Sequence, residues 1–313
     1  MKYKVIKEFD KSRLDKFLAQ MMPEITRSQI KKQIQSGLVL INEKVPTVHH
    51  FLKTGDIVIV KEEKIKKAVS KVKRVFKKDE NKELLKQIKV IDDKDKYLII
   101  NKPANVLVHP TDKNEPNTLV HWLIKKYPEL KKIGEDPQRP AIVHRLDKET
   151  SGLMIIPKTQ DMFEHLKSQF KKRLIEKKYY ALVYGHLDTK EDSISFRIGR
   201  SSQTGALAAH PFNSRRGKEA LTQYDVIKEF KKFSFVDVMP KSGRTHQIRV
   251  HFFALGNPVV GDPLYKSKKI KPVKIENMFL QAYYLKFTDL QSNEMEYEID
   301  LKENLNNFIK NLT

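Results

Sequence analysis

The chain has 313 residues, with 61 Lys and Arg against 39 Asp and Glu, a formal net charge of +22 and no cysteine. The lack of cysteine excludes disulfides, cysteine-based zinc sites, iron–sulfur clusters and a thiol nucleophile, and it fits a cytoplasmic protein. The positive charge favours a polyanionic partner, above all nucleic acid, although lysine-rich solvated surfaces would give the same total.

No membrane association is expected from the sequence. Its apolar runs are short segments such as Leu38–Ile41 and Leu153–Ile156, whereas a membrane-spanning helix needs about 18 apolar residues. The charged start of the chain lacks the apolar segment of a signal peptide.

Residues 1–60 are predicted to form a small α/β module. A helix is expected over Arg13–Met21, and a second begins at Thr26, where Gln29 completes a capping box. The second helix ends at Gly37, with Ile30 and Ile34 on its apolar face. Its outward-facing basic side chains are Arg27, Lys31 and Lys32, and strands are expected at Leu38–Asn42 and Ile57–Val60.

This module resembles the RNA-binding domain shared with ribosomal small-subunit protein S-four. The resemblance covers about fifty residues and rests on Arg13-Leu14-Asp15, Arg27-Ser28-Gln29-Ile30, Gly37–Asn42 and Gly55–Val58. It implies RNA contacts from Arg13, Arg27, Lys31 and Lys32. An ordinary small domain with a basic helix is the alternative.

Residues 61–85 are interpreted as a basic linker. The stretch Lys64–Lys78 contains basic residues and no acidic one, and it also lacks Gly and Pro. A plain solvated linker and an electrostatic tether on RNA are equally consistent with this composition.

Residues 86–313 are predicted to form one α+β domain with a mixed, mainly antiparallel sheet and flanking helices. The expected strands are Leu98–Asn101, Leu153–Ile156, Tyr179–Tyr184, Phe233–Met239 and His246–Phe252. The expected helices are Thr118–Lys126 and Met162–Leu174.

A first chemical motif runs from His144 to Ile156. Asp147, Thr150 and Gly152 precede the apolar run Leu153–Ile156, so the carboxylate would stand on a loop that feeds a buried strand. A rigidly held carboxylate suits catalysis, but an Asp between Arg and Lys is more often a surface ion pair.

A second motif runs from Ser242 to His251. If it is extended, Thr245, Gln247 and Arg249 share one side of a strand. His246 and His251 then point to opposite faces, so no shared metal site is expected. An arginine here would be a suitable bidentate partner for a buried aspartate and would keep it ionised.

Two further segments carry candidate residues. Tyr179, in the strand-like run Lys177–Tyr184, could pack in the core or support a displaced base. Lys102 follows the apolar strand Leu98–Asn101, where it could contact a phosphate or hold the wall of an active site.

Together these segments resemble the RluA-like family of pseudouridine synthases. The matching motifs, in chain order, are Asn101–Ala104, His144–Gly152, Tyr179–Ala181, Gly243–His251 and Gly256–Tyr265. Two departures, at Gln281 and at Lys241-Ser242, weaken assignment to a particular subgroup without touching the proposed catalytic residues.

The resemblance implies a cofactor-free, metal-free isomerisation of uridine in RNA. Asp147 would be the nucleophile, attacking either the ribose C1′ or the uracil ring, and Arg249 would hold it ionised and aimed. Tyr179 would stack on the flipped uracil and could take the proton from C5. Arg145 would fill the space left by the flipped base or hold the strand. The remaining candidates for substrate contact or wall structure are Lys102, Thr150, Arg244, His246 and Gln247.

The resemblance favours large-subunit ribosomal RNA over transfer RNA as substrate, with a monomer acting on free RNA or a pre-ribosomal particle. Two other classes stay open at this point. One is a non-catalytic RNA-binding or ribosome-assembly protein, and the other is an aspartate-dependent nucleic-acid hydrolase or glycosylase.

Overall fold

The computed structural model of the chain describes residues 1–22, 30, 33–34, 36–47, 50–61, 80–111, 115–201 and 205–312. The chain divides into two compact units, Met1–Phe76 and Lys77–Thr313. Most of the predicted linker, residues 61–85, lies outside the described residues. Its last residues belong to a helix, Glu80–Lys86, whose Leu84 and Leu85 pack against the core of the larger unit.

The smaller unit contains a three-stranded antiparallel sheet beside helix α1 (Leu14–Met21). Strand β3 (Ile57–Val60) lies between β1 (Lys2–Lys4) and β2 (Val39–Ile41). Its core includes Leu14, Phe17 and Leu18 of α1 together with Ile30 and Ile34. The predictions of a helix near Arg13–Met21 and of the two strands are confirmed, whereas the start of the second helix at Thr26 lies outside the described residues.

The larger unit is built on a sheet with ten strands in its described residues. The strands are β4 (Lys89–Asp93), β5 (Tyr97–Lys102), β6 (Ser151–Pro157), β7 (Glu176–Tyr184), β8 (Glu191–Arg200), β9 (Leu207–His210), β10 (Lys218–Phe230), β11 (Phe233–Pro240), β12 (Leu280–Thr288) and β13 (Glu294–Glu298). Their order in the sheet is β4-β5-β6-β12-β7-β11-β10-β8-β9, with β13 paired to β12. Strands β6 and β12 are paired in parallel and the other described neighbours are antiparallel.

Helices cover both faces of this sheet. They are α2 (Glu80–Lys86), α3 (Leu119–Lys126), α4 (Gln160–Lys172), α5 (Gln247–Ala254) and α6 (Glu303–Lys310). Strand β6 is buried along its whole length, because Met154 and Ile156 face the core that holds α3 and α5 while Leu153 and Ile155 face α4. The α+β prediction is confirmed, as are both predicted helices and four of the five predicted strands of this unit.

The predicted strand His246–Phe252 is wrong, because these residues form helix α5. Polar and apolar residues alternate along this segment, which resembles a half-buried strand. In the structure every residue from Gln247 to Phe252 is buried, and a helix buried on all sides shows no helical periodicity in its sequence. Gln247 and Arg249 therefore do not share a face, since they are about 200° apart around the helix axis.

None of the described helices combines the length and the apolar character needed to cross a membrane.

Candidate active site

Asp147 lies in the loop before β6 and lines a cleft of about 570 Å³ in the larger unit. Its side chain is 14% exposed, so the carboxylate is held by the protein and still open to a substrate. The cleft is lined by Arg145, Leu146, Asp147, Thr150, Lys177, Tyr179, Pro240, Ser242, Gly243, Arg244, Thr245, His246, Gln247, Ile248, Arg249 and Leu280.

Gly152 explains how the loop of Asp147 is anchored. It pairs in parallel with Ala282 of β12 at φ +123°, a conformation that favours glycine. A Cβ atom at this position would collide with the backbone of Ala282. The glycine thus lets β6 enter the centre of the sheet directly after the loop, which fixes the position of Asp147.

Arg249 connects this loop to helix α5. Its Nη1 donates to Oδ2 of Asp147 at 3.3 Å and to Oε2 of Glu149 at 3.2 Å. Its Nε and Nη2 donate to the two carboxylate oxygens of Asp262 at 2.6 and 2.9 Å. The predicted bidentate geometry is present, but its carboxylate is that of Asp262, and Asp147 is held through a single guanidinium nitrogen.

Arg249 and Asp262 are both fully buried. Burial alone lowers the pKa of Arg249, but Asp262, followed by Asp147 and Glu149, reverses this effect and leaves the pKa above its usual value. Asp262 also accepts hydrogen bonds from the backbone N–H groups of Leu264 and Tyr265. Because three carboxylates surround one guanidinium, Arg249 stays protonated and its positive charge is compensated within the cluster.

His246 has a left-handed backbone conformation at the start of α5, with φ 56°. Its Nδ1 is hydrogen-bonded to the hydroxyl of Tyr265 at 2.9 Å, and its Nε2 lies 3.9 Å from Oδ1 of Asp147. Burial lowers the pKa of the imidazole, while the charge of Asp147 acts in the opposite direction. The ring is therefore predominantly neutral at pH 7.

Tyr179, on β7, is buried and lines the same cleft. Burial and the nearby charge of Asp147 raise the pKa of its hydroxyl. The phenol consequently keeps its proton at neutral pH in the free protein. Two roles were predicted for Tyr179, support for a base and abstraction of the C5 proton. A protonated phenol can support a base, whereas it would first have to lose its own proton to accept another, so this protonation state favours the first role.

Lys102 is fully buried and does not line the cleft. Its Nζ donates to the carbonyl oxygens of Pro103 at 2.9 Å, Val106 at 2.9 Å and Lys148 at 3.3 Å. Burial lowers its pKa to about 7, although Asp147 and Glu149 oppose this shift. The predicted direct contact with RNA is thus not available to Lys102, which instead ties β5 to the loop of Asp147.

Gln247 is also buried, and its side chain forms hydrogen bonds within the protein. Its amide donates to the carbonyl of Leu221 and the hydroxyl of Thr222, and its oxygen accepts from Ser242 and from the backbone of Arg244. These bonds fix the loop before α5. Gln247 therefore positions the cleft wall, which is one of the two roles predicted for it, contact with substrate or wall structure.

The other predicted substrate residues lie at the cleft. Arg145 is exposed, Arg244 is half-buried with its Nε bonded to the carbonyl of Glu219, and Thr150 is buried in the wall. In the smaller unit, Arg13 forms a bidentate pair with the buried Asp15 at 3.0 and 3.1 Å. Arg27, Lys31 and Lys32 lie outside the described residues.

Four residues of the site had no role predicted from the sequence: Glu149, Lys177, Asp262 and Tyr265. Asp262 and Tyr265 belong to the motif Gly256–Tyr265. The family resemblance therefore marked this segment, but it gave no role to either residue. In the described part of the chain, no group of three or more His, Asp or Glu side chains has an arrangement that could hold a metal ion.

Comparison with known proteins identifies the family of this chain. The family model described as RNA pseudouridylate synthase matches residues 96–254, which include Asp147, Tyr179 and Arg249. This chain belongs to the RNA pseudouridylate synthase family. It is therefore an isomerase that acts on RNA, as predicted. Residues 12–58 match the S4 domain.

Relatives of similar length support this assignment. An Aquifex aeolicus protein named as an uncharacterized RNA pseudouridine synthase is 36% identical over 312 residues, covering 95% of this chain and 92% of its own. The ribosomal large subunit pseudouridine synthase D of Nitrosomonas europaea is 30% identical over 295 residues, covering 90% of this chain and 79% of its own.

A solved structure supports the fold. Human RNA pseudouridylate synthase domain containing 1 matches with a TM-score of 0.56 and 26% identity, covering 73% of this chain and 95% of that one.

Proposed function

We propose that this pseudouridine synthase modifies uridines of large-subunit ribosomal RNA and that Asp147 is its nucleophile. The observation that carries the second part is the position of this carboxylate in the wall of the cleft. Asp147 and Glu149 both accept a hydrogen bond from Nη1 of Arg249, but only Asp147 of these two lines the cleft.

The reaction breaks the N1–C1′ bond of uridine and forms a bond between C1′ and C5. Asp147 stabilises the detached intermediate covalently, through either the ribose C1′ or the uracil ring. N1 gains a proton, and C5 loses its hydrogen to solvent. The atoms of substrate and product are therefore the same, and no oxidant or reductant is needed.

The residues around Asp147 position the reactants. Arg249 holds Oδ2 of the carboxylate through Nη1, and the other oxygen, Oδ1, lies 3.9 Å from Nε2 of His246. Tyr179 provides an aromatic surface for the flipped uracil. Arg145, which is exposed at the cleft, fills the space that the base leaves or holds the strand.

The choice of ribosomal RNA rests on two observations of different kinds. Several relatives are named for the large ribosomal subunit, and the chain carries an S4 domain. We propose that residues 1–60, including Arg13, Arg27, Lys31 and Lys32, hold structured RNA, that 61–85 are the linker and that 86–313 perform catalysis. A monomer acting on free RNA or a pre-ribosomal particle is sufficient for this scheme.

Mapping of pseudouridines in total RNA tests the substrate directly. Cells lacking the gene are complemented with the wild-type enzyme or with Asp147→Asn. We expect specific large-subunit sites to disappear without the gene and to return only with the wild type. Loss confined to transfer RNA would instead support a transfer-RNA enzyme, and free uracil or abasic RNA as product would support a glycosylase.

A further inference from the structure

A second, larger cleft adjoins the active site. It has a volume of about 1590 Å³ that includes open solvent at its mouth, and it shares its wall with the Asp147 cleft through Arg145, Lys177, Pro240, Ser242, Gly243 and Arg244. It extends from there to the end of helix α4 and the end of strand β11. A polymer whose reacting nucleotide lies beside Asp147 can therefore continue directly into this second cleft.

The rim of the second cleft is strongly positive. Six basic side chains line it against one acidic residue, Glu176: they are Arg145, Lys171, Arg173, Lys177, Lys241 and Arg244. None of the six forms an ion pair with a carboxylate among the described residues. Arg249 differs in this respect, because it is neutralised by Asp262, Asp147 and Glu149. The rim thus lacks internal counter-charges.

The floor of the second cleft is apolar and aromatic. Phe170 is half-buried, and the ring of His144 stacks on it with the ring centres 4.7 Å apart. The ammonium of Lys177 lies 5.4 Å from the centre of the Phe170 ring. An apolar floor beneath unpaired cations matches a nucleotide, whose base is apolar on its faces and whose phosphate is negative.

We propose that the second cleft binds the nucleotides next to the target uridine in the same RNA strand. Lys171, Arg173 and Lys241 bind their phosphates, and the floor around Phe170 contacts a base. This inference rests on the proposed function, since it assumes an RNA strand that crosses the Asp147 cleft. It adds a binding site for the flanking strand.

The test compares two triple variants with equal loss of charge. Lys171→Gln/Arg173→Gln/Lys241→Gln removes the three cations of the rim. The control, Lys125→Gln/Lys131→Gln/Lys132→Gln, removes exposed lysines that line neither cleft. Both are assayed by tritium release from a large-subunit ribosomal RNA transcript labelled at uridine C5, over a range of salt concentrations.

For the rim variant we expect KM to rise at least tenfold with kcat within about twofold of wild type. The slope of log affinity against log salt concentration should become shallower by about 2 to 2.7, because each lost phosphate contact accounts for roughly 0.7 to 0.9. The control variant should change KM by less than about threefold, because its charges lie away from the bound strand and salt screens them.

Equal effects of the two variants, or an unchanged KM and salt slope in the rim variant, would overturn the inference. A failure of the proposed function looks different, because the wild-type enzyme itself would then release no tritium from the ribosomal transcript. Binding of inorganic phosphate alone tests a simple anion site. If millimolar phosphate binds to the wild type and not to the rim variant, while both bind the transcript with the same affinity and salt slope, the cleft binds free anions and the strand proposal is wrong.

Discussion

Arg249 and Asp262 form a fully buried, bidentate ion pair at the base of the active site, with Nε–Oδ2 at 2.6 Å and Nη2–Oδ1 at 2.9 Å. The pair joins helix α5 to the loop that follows it. The third nitrogen of the guanidinium extends from this pair to Asp147. Asp262 thereby orients the arginine that orients the proposed nucleophile.

Replacing Asp262 by Asn should destabilise the protein and impair catalysis. The change leaves a buried guanidinium without its bidentate anion, which costs about 3–5 kcal/mol when one partner of a buried pair is removed. Urea unfolding measures the free energy of unfolding, with the exposed Asp188→Asn as control, where we expect a change below about 0.5 kcal/mol. Equal stability of the two variants would show that the pair is not important for the fold.

The elements that could be predicted from sequence are those with a regular pattern. Strand β6 has a continuous apolar run because both its faces are buried, and α4 has one apolar face. Helix α5 could not be predicted, because burial on every side removes the difference between its faces.

The candidate site could be predicted in part. Motif resemblance located Asp147, Tyr179 and Arg249, and the structure places all three at one cleft. The pairing of Arg249 with Asp262 could not be inferred, because an arginine with several carboxylates within reach takes the partner that the folded backbone brings closest. Asp147 is 102 residues away from it in sequence. Lys102 was predicted either to contact a phosphate or to hold the wall of the active site. Its complete burial in the structure favours the second role.

Gly152→Ala should prevent stable folding of the larger unit. Its Cβ would collide with the backbone of Ala282, in addition to the strain of φ +123°, so we expect a loss of at least about 3 kcal/mol. Gly256→Ala provides the control, since φ is +88° there and no atom lies within 4 Å of the added Cβ. It should cost only about 1–2 kcal/mol in thermal or urea unfolding. If the two variants lose the same free energy of unfolding, the close contact of Gly152 with β12 does not fix the loop of Asp147.

Lys177 should make RNA binding depend on pH. Burial lowers its pKa to about 8, so the ammonium that lines both clefts is charged at pH 7 and mostly neutral at pH 9. We expect the KM for RNA to rise across this range, by no more than about tenfold, and Lys177→Arg to abolish the rise because arginine stays charged.

Other titratable groups near Lys177 are the same in the wild type and in Lys177→Arg, so a difference between the two pH profiles reports on Lys177. The carboxylates that line the same clefts are Asp147 and Glu176. Burial lowers the pKa of His144 to about 3 and that of Lys102 to about 7, and both residues are unchanged in the variant. Lys178→Arg, at the neighbouring position on β7, is the control and should keep the wild-type pH profile. A rise that persists in Lys177→Arg would assign the titration to another group.

Tyr179→Leu should lower kcat/KM at least about tenfold more than Tyr179→Phe. Phenylalanine retains the aromatic surface for the flipped uracil, and stacking of a base on such a ring is worth about 1–3 kcal/mol. Single-turnover tritium release measures both variants under the same conditions. Equal losses would mean that the phenol oxygen, rather than the ring, makes the essential contribution.

The most direct test of the account compares Asp147→Asn with Glu149→Gln in single-turnover tritium release from C5-labelled RNA. Each change removes one carboxylate from Nη1 of Arg249, so both disturb the ion cluster in the same way. We predict a loss of at least about 10³-fold for Asp147→Asn, with RNA binding retained, and a loss below about tenfold for Glu149→Gln. Appreciable pseudouridine formation by Asp147→Asn would contradict its role as the nucleophile.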